Sequence, residues 1–175
     1  MSSHKLLEDA LQNDKMITFV TGHQNPDTDT VVSSALEAFY RNLRNSDEDM
    51  VYLPLVQSYE MPEEITYILG SDMTKSMIYS EHLNLSELLV TGKIRFVFTD
   101  QNYQKEYQKY VVEILDHHRL NKELESGTLA IPFRIEMLGS CTALIVKECL
   151  EKDYDFDAQL SRILYSAMLM DTENC

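Results

Sequence analysis

The sequence has no tryptophan, and only three cysteines, five glycines and four prolines in 175 residues. So little Gly and Pro leaves no linker and no low-complexity tract, and no internal repeat is present, so residues 1–175 are expected to form a single domain. The cysteines (Cys141, Cys149 and Cys175) are odd in number and lack metal-ligand spacing. That excludes a disulfide scaffold and a thiolate metal site, and points to thiols in a reducing compartment, the cytoplasm. Basic residues are also scarce: 15 Lys and Arg stand against 29 Asp and Glu, a net charge of −14. Nucleic-acid binding draws its affinity from cations on phosphates, so a nucleic-acid partner is not expected. An acidic surface does suit a protein that collects divalent cations. No apolar run approaches the roughly 18–20 residues of a membrane span, and Met1 to Lys15 lacks the apolar middle of a secretory signal, so no membrane partner is expected. The remaining balance, 44% apolar and 25% charged, is that of an ordinary globular protein.

Periodicity divides the chain into alternating strands and helices. Met16 to Thr21 reads as a buried strand stopped by Gly22. From Thr28, Val31, Val32, Ala35, Leu36, Phe39 and Leu43 recur at helical spacing, and the polar cluster Asn45 to Asp49 ends that helix. Met50 to Val56 is a second strand, which Pro54 places near an edge or at a bulge. Helices are expected over Met61 to Leu69 and Leu83 to Val90, with a short strand around Met77 to Tyr79 between them. Lys93 to Phe98 and Tyr110 to Leu115 are strands joined by a short helix, and Phe133 to Met137 is another strand. Thr142 to Leu150 and a segment from Phe156 through Met168 are helical. This alternation predicts an α/β fold: a mostly parallel sheet with helices on both faces. Ligands then bind beyond the carboxyl ends of the strands.

Those ends carry one kind of residue. The first strand runs into Gly22-His23-Gln24-Asn25-Pro26-Asp27-Thr28-Asp29. Later strands end in Asp100-Gln101-Asn102 and Asp116-His117-His118, and Asp171-Thr172 follows the last apolar helix. Each element alone has an ordinary explanation: Asp27 and Asp29 as helix caps, Asp100 as a turn residue, and His117-His118 as a core His beside an exposed one. Asp171 fits less well, because a carboxylate at a helix C-terminus opposes the dipole. Converging carboxylates repel unless protonated or occupied by cations. Imidazole with carboxylate, and no thiolate, suits Mn²⁺ first, with Co²⁺ or Mg²⁺ as substitutes. More ligands are present than one ion needs, so a pair about 3.5–4 Å apart, bridged by a carboxylate and a water, is expected. Such a pair makes hydroxide available for attack on phosphorus.

In order and spacing, these motifs resemble the N-terminal domain of the DHH phosphoesterase superfamily, over nearly the whole chain. The G-H-x-N-P-D-T-D string is similar to that of the family II, manganese-dependent inorganic pyrophosphatases. Related exopolyphosphatases and prune-type proteins usually carry Asn at the position of His23. The resemblance implies that His23 and Asp27 bind one ion, Asp29 and His117 the other, and that Asp100 and Asp171 touch or bridge both. It implies a substrate-phosphate contact for His118, with Asp116 orienting the neighbouring His. Gly139-Ser140-Cys141-Thr142 resembles the family's small-residue loop at a helix start. The implied reaction is hydrolysis of pyrophosphate, or of short polyphosphate, by a bridging hydroxide, and the resemblance leaves room for a homodimer through edge strands.

Two departures qualify the expectation. The pyrophosphatases read Asp-His-Asn where this chain has Asp100-Gln101-Asn102, and Gln cannot titrate as imidazole does. The family also continues into a second domain that clamps phosphates with Lys and Arg. No basic cluster here replaces it, so the chain is read as the metal-binding half of a larger enzyme. Rival readings are a DHH phosphodiesterase and a non-enzymatic interaction or dimerisation module.

Overall fold

The computed structural model describes residues 2–58, 60–125 and 131–172. Its strands are β1 (Met16–Thr21), β2 (Met50–Val56), β3 (Ile78–Tyr79), β4 (Ile94–Thr99), β5 (Val111–Asp116) and β6 (Phe133–Ile135). Its helices are α1 (Ser3–Gln12), α2 (Thr28–Arg44), α3 (Glu63–Leu69), α4 (Ser71–Ser76), α5 (Leu85–Val90), α6 (Lys122–Glu125), α7 (Cys141–Glu151) and α8 (Ala158–Asp171). Every strand pair is parallel, in the order β3-β2-β1-β4-β5-β6.

Alternation along the strands splits the core in two. Ile17, Phe19, Phe96 and Phe98 point to the face covered by α1 and α5, where Tyr107 stacks on Phe96 at 4.7 Å. Val20, Val97 and Leu115 point to the other face, under α2, α7 and α8. Burying each such side chain is worth about 1.5–3 kcal/mol, which holds the layers together. The predicted layering is therefore observed. Pro54 fits as well: β3 pairs only with Leu55 and Val56, so the rest of β2 has a strand partner on one side only.

Two elements are unanticipated and two expectations are corrected. The N-terminal segment is a helix, α1, capped by Ser2 and packed on the sheet through Leu7 and Ala10. A further short helix, α4, separates α3 from β3. The connection between β4 and β5 carries only a 3-10 turn, Gln108–Tyr110. The inner stripe of α2 also rotates near its end, leaving Phe39 and Leu43 exposed. Tyr40 turns inward instead, with Glu37 and Arg41 joined at 2.5 Å, and Arg41 reaches Glu113 of β5 at 2.8 Å. An ion pair thus occupies positions that hydropathy assigns to solvent. Cys141 and Cys149 are buried free thiols, and Cys175 lies outside the described residues. Among the described residues no helix is long and apolar enough to cross a membrane.

Strand order places the site. From β1 the chain builds outward to β2 and β3, then returns to β4 on the other side of β1. The order reverses between β1 and β4, and in open parallel sheets the crevice at that reversal is where ligands bind. His23 follows β1, and Asp100 follows β4.

Candidate metal centre

Each cluster side chain is set by the end of an element. Asp27 is the N-cap of α2 and accepts a hydrogen bond from the Thr30 N–H at 2.8 Å. Asp29, in the first turn of α2, points away from its own helix to the start of α7. There it accepts from the N–H groups of Cys141 (2.7 Å) and Thr142 (2.8 Å). Asp100 takes the left-handed backbone conformation (φ 55°), tolerated best by Asn, Asp and Gly, which ends β4 abruptly. His117 and His118 follow β5, and Asp171 is the last residue of α8.

These residues converge on Asp100, whose side chain is 2% exposed. Its Oδ2 lies 3.4 Å from His23 Nε2 and its Oδ1 lies 3.1 Å from His117 Nε2. His23 Nε2 is also 3.4 Å from Asp27, and His117 Nε2 is 3.5 Å from Asp171 and 3.8 Å from Asp29. Two groups result, His23–Asp27–Asp100 and Asp29–His117–Asp171, each with one potential ligand atom per residue within 4.8 Å of the others. Asp116, His117 and His118 form a third such group with Asp100. Every sequence-predicted site residue is therefore brought together at one edge.

Orientation comes from outer partners. The His117 Nδ1–H donates to the Leu138 carbonyl at 3.2 Å, which leaves Nε2 facing the carboxylates. Asp116, wholly buried, accepts from the His118 ring Nδ1 at 2.9 Å and from the backbone N–H of His117 and His118. His118 itself is 55% exposed. Three contributors escaped the sequence reading. The Thr30 hydroxyl donates to Asp100 at 2.5 Å and lies 2.7 Å from His23. Asn102 donates to Asp116 at 2.5 Å and to the Arg119 carbonyl. Gln57 donates to the Gly22 carbonyl at 2.7 Å. Asn102 sits inside a motif already singled out and Thr30 directly follows one, whereas Gln57 carries no signal beyond its place after a strand.

The electrostatics call for a cation. Among the described residues, no Lys or Arg pairs with Asp27, Asp29, Asp100, Asp116 or Asp171; the recorded ion-pair partners of this cluster are imidazoles. Hydrogen bonding to Asp100, then to Asp27, lifts His23 to about 10 against the opposing effect of burial. Hydrogen bonding to Asp100 likewise lifts His117 to about 9. Burial, then the charge of Asp100, raises Asp29 to about 7. Burial works against ionisation of Asp100 too, but His117, His23 and Thr30 outweigh it and hold that carboxyl well below the usual range. Protons on the imidazoles thus neutralise part of the carboxylate charge, a role a divalent ion could take over. The donor set, imidazole and carboxylate without thiolate, fits such an ion. Cys141 lies close by, but burial keeps its thiol protonated.

The first turn of the site leaves no room for a side chain. A Cβ on Gly22 would lie 2.5 Å from the Thr30 methyl and 2.9 Å from the Thr99 carbonyl oxygen. Gly22→Ala is expected to destabilise the chain by about 1–3 kcal/mol, typical of overpacking, read by denaturant unfolding. A neutral outcome would mean that β1 and β4 separate freely at this end.

A parallel α/β sheet with a carboxylate–imidazole cluster at its reversal point defines the class. The chain belongs to the DHH family: the pattern of that family's N-terminal domain matches residues 17–170. It is 26% identical over 161 residues to a probable manganese-dependent inorganic pyrophosphatase of Lactiplantibacillus plantarum, covering 87% of this chain and 47% of that protein. It is 23% identical over 176 residues to the exopolyphosphatase PRUNE1 of Bos taurus, covering 94% of this chain and 38% of that protein. The crystal structure of an exopolyphosphatase-related protein from Bacteroides fragilis shares the fold, with a TM-score of 0.63 at 16% identity, covering 98% of this chain and 50% of that one. The chain spans about half the length of the pyrophosphatases it matches, and less of PRUNE1.

Proposed function

We propose that this chain is the ion-binding half of a phosphoanhydride hydrolase that cleaves pyrophosphate to phosphate with two divalent ions, Mn²⁺ first. One observation carries the reading: Asp100 turns one oxygen to each of two His–carboxylate groups. In this assignment His23 and Asp27 hold one ion, Asp29 and His117 the other, with Asp100 shared and Asp171 beside the second. Ions held there would neutralise phosphate charge and acidify water for attack on phosphorus. The chain's own residues do the positioning. Asp116 occupies the His118 Nδ1 side, leaving Nε2 of that exposed ring free for a substrate phosphate. The buried free thiols support action in a reducing compartment, the cytoplasm. Short-chain polyphosphate is the second reading, supported by Gln101. Its side chain is an amide, which does not titrate and so offers no proton to a leaving phosphate, and its nitrogen donates to the Gly22 carbonyl and Gln104.

The test is Mn²⁺ titration by calorimetry, with pyrophosphate and tripolyphosphate hydrolysis assayed alongside. About two ions should bind the parent, and a His117→Ala, Asp171→Ala chain should lose the second. Absence of any site tighter than millimolar would end the reading. Because His23 and His117 hold protons through neutral pH in the ion-free chain, binding must displace them. Titration in two buffers of different ionisation enthalpy should show about one proton released by the ion at His23 and between about one and two by the ion at His117, where Asp29 is raised to about 7, with affinity rising as pH rises. Zero release would place the ions away from the imidazoles.

A further inference from the structure

His23 differs from the other two imidazoles of the cluster. His117 and His118 each anchor Nδ1 on a protein oxygen, Leu138 and Asp116 respectively. The Nδ1 of His23 has no hydrogen-bond partner among the described residues, and its contacts all run through Nε2. A ligating imidazole is ordinarily oriented by the bond that its other nitrogen makes. The peptide preceding His23 adds to the problem. Position 22 has room only for glycine, the residue with the least steric restraint on its backbone. Something else must fix the turn.

Three side-chain amides converge there. The Gly22 carbonyl, in the peptide that leads into His23, accepts from Gln57 Nε2 at 2.7 Å and from Gln101 Nε2 at 2.8 Å, which fills both lone pairs of the oxygen. Gln57 and Gln104 form a closed amide pair, donating to each other at 2.9 and 2.8 Å. Gln101 reaches the same Gln104 oxygen at 3.4 Å, and the Gln104 backbone N–H is held by Gln108 Oε1 at 3.2 Å. Gln57 and Gln104 are buried, and none of the three amides bonds to a carboxylate of the cluster. A buried polar network in which the amides satisfy one another is rigid.

We propose that Gln57, Gln101 and Gln104 are positioning residues for His23: a clamp on the Gly22 carbonyl that replaces the missing Nδ1 anchor. The clamp therefore sets the affinity of the His23–Asp27–Asp100 group and leaves the Asp29–His117–Asp171 group unaffected. The affinity consequence rests on the ion-binding reading above, whereas the orientation of the ring does not.

The experiment introduces Gln101→Met, and separately Gln57→Glu, which keeps the shape but presents oxygen to oxygen. Each is placed in a His117→Ala chain, where the His23 group remains, and in a His23→Ala chain, where the other group remains. Mn²⁺ affinity should fall about 10–100-fold in the first background and stay within about twofold in the second. In ion-free chains with both histidines present, NMR should show the His23 ring signals broadened by either substitution and those of His117 unchanged. Equal losses in both backgrounds would reveal general loosening and overturn the clamp, as would unchanged affinity with unchanged His23 signals. If no chain binds Mn²⁺, the ion-binding reading fails and the ring signals alone decide. Broadening at His23 then upholds the clamp, and unchanged signals reject it. Gln101 is half-buried, so Gln101→Met keeps the test informative should Gln57→Glu fail to fold.

Discussion

Asp100→Asn is expected to weaken both ions at once, each by more than the roughly 10–100-fold that loss of an outer partner causes. The geometry gives the reason. One carboxylate oxygen faces His23 at 3.4 Å and the other faces His117 at 3.1 Å, and the carboxyl is buried and ionised far below its usual range. An amide removes the charge from both groups and replaces one donor oxygen with an N–H₂ that cannot ligate. Asparagine is the right substitution because residue 100 has φ 55°, where alanine would add backbone strain unrelated to ions. Controls divide the centre. Asp27→Asn should weaken only the ion at His23, and Asp171→Asn only the ion at His117. Calorimetric titration of all three reads the pattern. A selective loss from Asp100→Asn, matching either control, would mean that the carboxylate is not shared and that the groups are independent sites.

Much of this centre was legible in the sequence, for a reason specific to parallel sheets. The strands are short and apolar, so each ends visibly where a polar residue begins, and the topology brings consecutive ends to one edge. His23, Asp100 and His117 could therefore be placed together without coordinates. The hidden parts lack such periodicity. Gln57 and Gln104 look like ordinary polar loop residues, because an amide's role is set by the partner it meets across the fold, here 47 positions away in sequence. Glu37 and Arg41 misled the reading of α2, since hydropathy cannot show that two charges will neutralise each other under a strand. Helix α1 was missed because its stripe is short: Leu7 and Ala10 are its only buried residues.

Capping and ion binding are rival explanations for Asp27 and Asp29 in the sequence, yet the fold lets one side chain serve both. Asp27 caps α2 while its other oxygen lies 3.4 Å from His23. Asp29 provides the sharper test, because the helix it serves is α7, 112 residues further along the chain. Its two oxygens take the Cys141 and Thr142 N–H groups, at wholly buried residues where no water would replace it without cost. Asp29→Ala orphans both donors, at about 1–3 kcal/mol each, and removes an anion from a helix N-terminus. Relief of its repulsion with Asp100 offsets part of that, since burial and Asp100 raise Asp29 to about 7. The expected net loss, measured by urea unfolding in chelator, is about 1–3 kcal/mol, with Asp29→Asn intermediate because its single carbonyl oxygen can still accept one bond. Both variants should also lose the ion at His117. If Asp29→Ala matches the parent in chelator, the α7 contact contributes nothing net and Asp29 is a ligand only. If it loses stability but keeps the ion, Asp29 is a cap, and His117 and Asp171 must hold the second ion with Asp100 alone.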